Sequence, residues 1–355
     1  MNRARLSLLV DLDDDKPVYN AKSTFHVYFP TKESTGMGFI IHGDFYVEPH
    51  RTHLMKSGYN EWLLTQAAKV AANEFLTSLL QRYRAISVFE ALSPTESVAS
   101  ESGGIFRQRF AKALQERSKP FIPTNAGLLA KEEVLLPPSI DREGFWEKHF
   151  AASLSELVEH KKAFLKPTED GRGTRAFLSL AKVDVLKPET LVDFIEAISK
   201  NYRDSNWWYE CYSYMSNEET LSRYGHSFYV RRKLIPAGKV RVVPVPTAES
   251  GVVVSLPPVG DIADLIVPDC FAPVFVFIDA GVAQLLQSGK DTIRSWVLDR
   301  FHISRFEATE LLPRAISRMA PQIFTGELKI RVSELTAVWK FVKAVTDASR
   351  MIKSS

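Results

Sequence analysis

Long apolar runs, cysteine and an excess of either charge are all missing from this 355-residue chain. No segment offers the roughly 18 uninterrupted apolar residues that a membrane-spanning helix needs. Residues 1–10 carry two arginines and a short apolar stretch but no secretory core or cleavage site. The two cysteines, Cys211 and Cys270, supply neither a disulfide framework nor a cysteine-rich metal centre. Forty-five basic against 42 acidic side chains leave a net charge of +3, too even for charge alone to mark a nucleic-acid binder. A nucleophile elbow, a phosphate loop ending in lysine and a paired-carboxylate site are equally absent. Together these gaps predict a soluble cytoplasmic protein without a self-contained active site.

What is present is ordinary globular material, 45% hydrophobic and 25% charged, long enough for two or three domains of roughly 150 residues. Residues 24–29 and 39–47 are β-branched and aromatic and read as two strands of one sheet, with the turn-forming segment 30–36 reversing the chain into a hairpin. Asn60 is a candidate cap for a helix whose Leu64, Ala68, Ala71, Phe75 and Leu79 form one apolar stripe against that sheet. Residues 93–104 contain almost no large apolar side chain and read as a linker. The predicted division is therefore a first α/β domain over 1–92, a linker over 93–104, and a mixed helical and hairpin region over 105–355 with possible subdomains 105–245 and 246–355.

Within that second region, 120–129 followed by 134–137 reads as strand, tight turn, strand, and 234–244 repeats the same order of apolar pair, proline, small residues and β-branched run. Helical spacing marks Trp146, Phe150, Leu154 and Leu157, and again Leu191, Ile195, Ile198 and Tyr202 after Pro188. The dense aromatic run from Trp207 through Tyr214 offers a stacking surface, although helix core is the commoner use of such clusters. Beyond Pro268, a short strand over 274–278 precedes helices near 280–286, 292–301 and 332–346.

Three constellations carry chemistry worth weighing. His42, Asp44, His50 and His53 lie close together, with His42 and Asp44 on one face of a strand, but their spacing fits no standard metal-ligand motif. Asp170-Gly171-Arg172-Gly173 lacks the glycine spacing of a nucleotide loop and reads as a polar turn. Arg231, Arg232 and Lys233 together are candidates for contacts with phosphates or a protein partner.

The most informative stretch is Phe25-His26-Val27-Tyr28-Phe29-Pro30-Thr31, then Thr35-Gly36-Met37-Gly38-Phe39-Ile40-Ile41-His42-Gly43-Asp44-Phe45-Tyr46-Val47, then Arg51 and Asn60-Glu61-Trp62-Leu63-Leu64. Over residues 20–85 it resembles sacsin-type ATPases, in which a nucleotide domain of the gyrase, heat-shock chaperone, histidine-kinase and MutL (GHKL) type is followed by a segment of this pattern. Weaker likenesses to regions further downstream in bacterial relatives fall at 122–127 and 277–298. The resemblance implies an α/β (α+β) fold, a small sheet with packed helices like the middle or coupling domain of those ATPases, followed by a mainly helical region with short hairpins.

It also implies that Arg51 is matched to the arginine that the ninety-kilodalton heat-shock chaperones deliver to a γ-phosphate. Here Glu48, Pro49 and His50 stand where the chaperone pattern has Asn and Ser. The helix with a magnesium-binding Asn and catalytic Glu, the Asp-x-Gly motif and the glycine lid have no counterpart, so the expected cofactors are none in the isolated chain, with ATP and Mg arriving on a partner. Expected partners are a GHKL-type nucleotide-binding domain or polypeptide, and protein clients or subunits of a bacterial antiviral defence complex. The alternative expectation is an ATP-independent module that binds protein or nucleic acid through Arg231, Arg232, Lys233 and the aromatic run.

Overall fold

The computed structural model describes residues 4–96, 100–158, 161–199, 204–237, 241–247, 252–257, 275–305, 313, 316–317, 325 and 332–354. Tyr202, Pro268, Cys270, Val274 and the turn 238–240 of the second predicted hairpin lie outside them. The chain is of mixed α/β class, and its contacts divide it into two compact units, Met1–Lys187 and Pro188–Ser355.

The first unit is built on a four-stranded sheet. Its strands are β1 (Leu6–Leu9), β4 (Thr24–Val27), β5 (Phe29–Ser34) and β6 (Ile40–Gly43), in the order β1-β6-β4-β5, while β2 (Asp11–Asp13) and β3 (Lys16–Val18) form a separate ribbon. The two predicted strands do share a sheet, but β4 and β6 run parallel, with Phe25 opposite Ile41 and His26 opposite His42. The expected hairpin is corrected accordingly. The reversal occurs at Tyr28, whose φ of 60° turns β4 back into antiparallel β5, and the segment read as a turn is itself the edge strand. Its Thr31 and Glu33 are buried while Lys32 points outward, a period-two alternation that makes it a strand.

Helix α1 (Gly58–Val70) continues through a π-helical turn (Ala71–Phe75) into α2 (Leu76–Arg82). Its cap is Ser57, whose hydroxyl accepts from the Asn60 amide, and Asn60 itself lies inside the helix. The predicted stripe is buried at Leu64, Ala68, Ala71 and Leu79. The extra residue of the π turn carries the buried face on to Leu76 and leaves Phe75 half-buried. Two further helices, α3 (Ala85–Ala91) and α4 (Glu101–Gln115), complete this layer. Phe106, Phe110 and Leu114 of α4 enter the same core as Phe25, Phe39 and Ile41 of the sheet.

The contacts therefore place the division at 187/188, and the described residues of 93–104 belong to the first unit. Gly38 N donates to Ser93 O at 3.0 Å and Thr95 N to Gly36 O at 3.0 Å. Ser100 Oγ donates to Ser34 O at 2.8 Å and accepts from Gly103 N. A Cβ on Gly103 would sit 2.3 Å from Ser34 O. The small residues that made this segment resemble a linker are what lets two backbones touch.

After α4 come the hairpin β7 (Ile122–Thr124) and β8 (Gly127–Leu129), as expected, and then β9 (Val134–Leu136), α5 (Phe145–Phe150) and α6 (Leu154–Leu157). The remaining elements are β10 (Ala163–Phe164), α7 (Arg172–Leu180) and β11 (Asp184–Val185), with β10 and β11 flanking β9 in parallel.

The second unit begins with α8 (Thr190–Ile198), α9 (Ser205–Asn217), α10 (Glu219–Arg223) and α11 (His226–Tyr229). The antiparallel pair β12 (Lys233–Ala237) and β13 (Arg241–Pro244) follows. A parallel sheet has β14 (Val253–Ser255) between β15 (Phe275–Phe277) and β16 (Ile303–Ser304), with α12 (Ala280–Ser288) and α13 (Asp291–Arg300) in the connection. Helix α14 (Val332–Ser354) is the last described element. No helix among the described residues is long and apolar enough to cross a membrane.

Candidate functional site: an aromatic groove beside Arg51

Beyond β6 the alternation of the strand persists. Ile41, Gly43 and Phe45 face the core, and Tyr46 turns to solvent. An antiparallel bridge from Val47 to Leu54 closes a tight reversal. In it, Arg51 N donates to Glu48 O at 2.8 Å, with Pro49 supplying the fixed φ that the first central position of a β-turn favours.

The reversal is pinned on both sides. Thr52 O accepts from Lys32 N of β5 at 3.0 Å, and the buried Glu33 carboxylate accepts from Leu54 N at 3.0 Å. Asn60, expected as a cap, instead clamps the stem. Its Oδ1 accepts from Tyr46 N at 2.8 Å, and its Nδ2 donates to Tyr46 O and Met55 O. Arg51 thus sits on a fixed turn at the end of a sheet, exposed, with φ 57°. No hydrogen-bond or ion-pair partner for its guanidinium is found among the described residues.

Arg51 borders a groove of about 570 Å³ whose floor is Val27, Phe45 and Val47. Its walls are Tyr28, 86% exposed, Phe29, 66% exposed, and the exposed Tyr46 and Met55. The floor is rigid because Phe45 packs edge-on against Phe25 of the core, with ring centroids 5.6 Å apart. Two of the lining residues, Tyr28 and Arg51, are non-glycine residues held in the left-handed region, a conformation costing on the order of 1 kcal/mol apiece. Strain of this kind clusters where side chains are aimed at something. From Tyr46 the aromatic surface runs on along α1, to Tyr59 at 4.7 Å between centroids and from there to Trp62 at 5.9 Å. Burial, then the Asp44 carboxylate and Tyr46, push the Tyr59 phenol up, so it stays neutral.

Part of this groove has a signal in the residue pattern, because burying Phe39, Ile41 and Phe45 on one face leaves Tyr46 on the other. Nothing in the residue pattern marks Tyr28 and Arg51 as left-handed.

The other candidates fare differently. Arg232 is spoken for, with its guanidinium 2.7 Å from Asp193 and 2.8 Å from Glu196. Lys233 N donates to the same Glu196, and Arg231, with φ 67°, donates through its backbone to Val245 O. The run contributes less free positive charge than its spelling implies. The aromatic run lies on α9, where Trp207, Trp208, Cys211, Tyr212 and Met215 are buried and Tyr209 and Tyr214 half-buried, so most of it is core.

His42 and Asp44 do lie on one strand face, but Asp44 accepts from Arg5 N at 2.7 Å, and His53 pairs with Thr52 on the turn. Among the described residues no three His, Cys, Asp or Glu side chains converge as a metal site would require. Asp170 is a buried hub. It holds Arg175 through two 2.7 Å bonds and accepts from Asp141 N, while the adjoining Gly173 lies against Glu90, where a Cβ would have 2.6 Å.

No family model, no curated protein and no solved structure matches the chain.

Proposed function

We propose that the chain is an accessory portion of a sacsin-like, chaperone-type ATPase, coupling the nucleotide state of a GHKL-type partner domain to protein interactions in bacterial antiviral defence. The observation that supports it is the Arg51 turn: a permanently charged, planar group without a partner among the described residues, on a reversal pinned by Lys32, Glu33 and Asn60. A guanidinium so held is preorganised to stabilise charge building on a transferred phosphoryl group, as an arginine finger does. Adenine, phosphates and Mg²⁺ would be carried by the partner, whose own residues must position the attacking water.

The test mixes the full chain with the polypeptide encoded immediately upstream and follows ATP hydrolysis. Stimulation by the chain is expected, and Arg51→Ala lowers the stimulated kcat by about 10³-fold, the low end for an arginine finger. A stimulated rate that Arg51→Ala leaves unchanged removes the role assigned to Arg51. A second reading, an ATP-independent protein-binding module of a defence complex, is favoured by the exposed aromatic groove. Its nucleic-acid version predicts salt-sensitive binding to DNA or RNA, and absence of binding at low salt eliminates that version.

A further inference from the structure

The groove beside Arg51 and the aromatic strip that extends it form an exposed apolar surface of the kind that marks an interaction site when its members are contiguous. Two features narrow the occupant. Among the described residues of the lining, Arg51 is the one that is charged, so these residues combine apolar walls with a single positive group. A guanidinium without a partner among the described residues is matched by a carboxylate, which it grips through two parallel N–H donors. The apolar surface also outruns the cavity, passing from Tyr46 across Tyr59 to Trp62 in centroid steps of 4.7 and 5.9 Å. That distance exceeds one side chain and accommodates about three residues of extended chain at roughly 3.3 Å each.

We propose that this groove binds an extended peptide segment in which a large apolar side chain enters between Tyr28, Phe29 and Tyr46 while an adjacent carboxylate pairs with Arg51. The rest of the peptide lies along Tyr59 and Trp62. The rigid floor and the pinned turn keep the walls open before binding, which limits the ordering cost of association. The inference rests on the proposed function only in identifying this peptide with the protein-interaction half of the coupling, since binding itself requires neither nucleotide nor a partner polypeptide.

The test is fluorescence anisotropy on the full chain, with nucleotide and partner absent. The probe is a fluorescein-labelled glycine–serine peptide carrying a central phenylalanine–aspartate–leucine block. Saturable binding with a Kd of about 10–100 μM is expected. Replacing the probe's aspartate by asparagine weakens it about tenfold, and so does Phe29→Ser in the protein. Arg51→Gln abolishes the preference for aspartate over asparagine. Because Phe29 and Arg51 are exposed, both variants should keep the parental circular dichroism and Tm.

Failure to saturate by about 1 mM overturns the proposal. So does equal affinity for the aspartate and asparagine probes, or binding that Phe29→Ser leaves intact. Sedimentation showing a dimer that Phe29→Ser dissociates would assign the groove to a second copy and likewise overturn it. Since the assay contains no ATP, a negative result here leaves the hydrolysis role of Arg51 standing, and a negative hydrolysis result leaves the peptide site standing.

Discussion

Each unit concentrates aromatic side chains, and they are put to opposite uses. In the second unit Trp208, Tyr212, Tyr229 and Phe301 are fully buried. Rings meet edge-on, Tyr212 and Tyr229 each with Phe301 at 5.5 Å, and both phenols find backbone acceptors, Leu234 O and Leu221 O, each at 2.7 Å. In the first unit Tyr28, Phe29, Tyr46 and Trp62 are exposed, although a full aromatic core of Phe39, Phe106, Phe110 and Phe177 lies behind them. Aromatic density along the sequence thus says little about exposure. What separates them is local geometry: α9 turns Trp208 and Tyr212 inward at helical spacing, a left-handed residue and a strand end push Tyr28, Phe29 and Tyr46 outward, and Trp62 lies on the outer face of α1.

The largest expected effect breaks that contrast energetically. Trp208→Ala should cost about 3–5 kcal/mol by opening a cavity in close-packed interior. The same truncation at Phe29 should change stability by less than about 0.5 kcal/mol. Urea denaturation of the two variants measures both, and similar losses would mean that the exposed rings are structural after all. Trp208→Phe is expected to cost far less than the alanine variant, because the buried indole N–H has no hydrogen-bond partner among the described residues and phenylalanine removes that donor.

Within the first unit, the comparison of two arginines gives the next effect. Arg51 is free of partners among the described residues, whereas Arg117 is only 4% exposed. Arg117 donates to Ala72 O, to Asn73 O at 3.1 Å, to Lys119 O at 3.1 Å and to Thr77 Oγ1 at 2.9 Å, and its head lies 5.5 Å from the Phe121 ring. Two of those carbonyls belong to the π-helical turn, so Arg117 is what tolerates the irregularity. Burial pulls its pKa down, opposed by Glu74. Arg117→Met keeps the apolar stem but removes these bonds; Asn73 O still accepts from Thr77 Oγ1, so the loss falls chiefly on the buried Ala72 O, at about 1–3 kcal/mol. Arg51→Met should be near neutral in the same denaturation assay. A stable Arg117→Met protein would show that the π turn holds itself.

These two arginines also show where the sequence was readable. The stripe from Leu64 to Leu79 was legible because helical period is a property of neighbours in sequence, and the hairpin at 122–129 because its turn chemistry is local. The π turn was not, since one extra residue leaves no compositional mark and its stabilising partner lies 45 positions away. Strand order failed for a related reason. Pro30, Lys32 and Glu33 look like turn residues, and only the burial of Thr31 and Glu33 shows that the segment is an edge strand. Of the candidate site, Arg51 was put forward by the resemblance alone, and Tyr46 was not singled out although the alternation through Phe45 would have turned it outward. The groove that joins them depends on the left-handed φ values of Tyr28 and Arg51, which no residue pattern announces.

The smallest effect tests whether the two units respond alike to acid. Each holds a pair of imidazoles. His26 lies opposite His42 across β4 and β6, and His302 stacks on His226 at 3.4 Å. Desolvation, and then the neighbouring imidazole, lower the pKa of His26 and of His302, the latter opposed by Asp299. A histidine whose folded pKa lies below its unfolded 6.5 binds fewer protons when folded, so its contribution is fully present above that value. That contribution declines as the pH falls from 6.5 towards the depressed folded pKa, and below it the loss is constant. Tm should therefore be level above pH 6.5 and decline just below it. Because His302 has φ 51°, asparagine is the replacement that tolerates its backbone. The double variant His26→Gln, His302→Asn should flatten the decline, and each single variant should flatten part of it. A decline that the double variant retains in full would show that these imidazoles do not set the acid sensitivity.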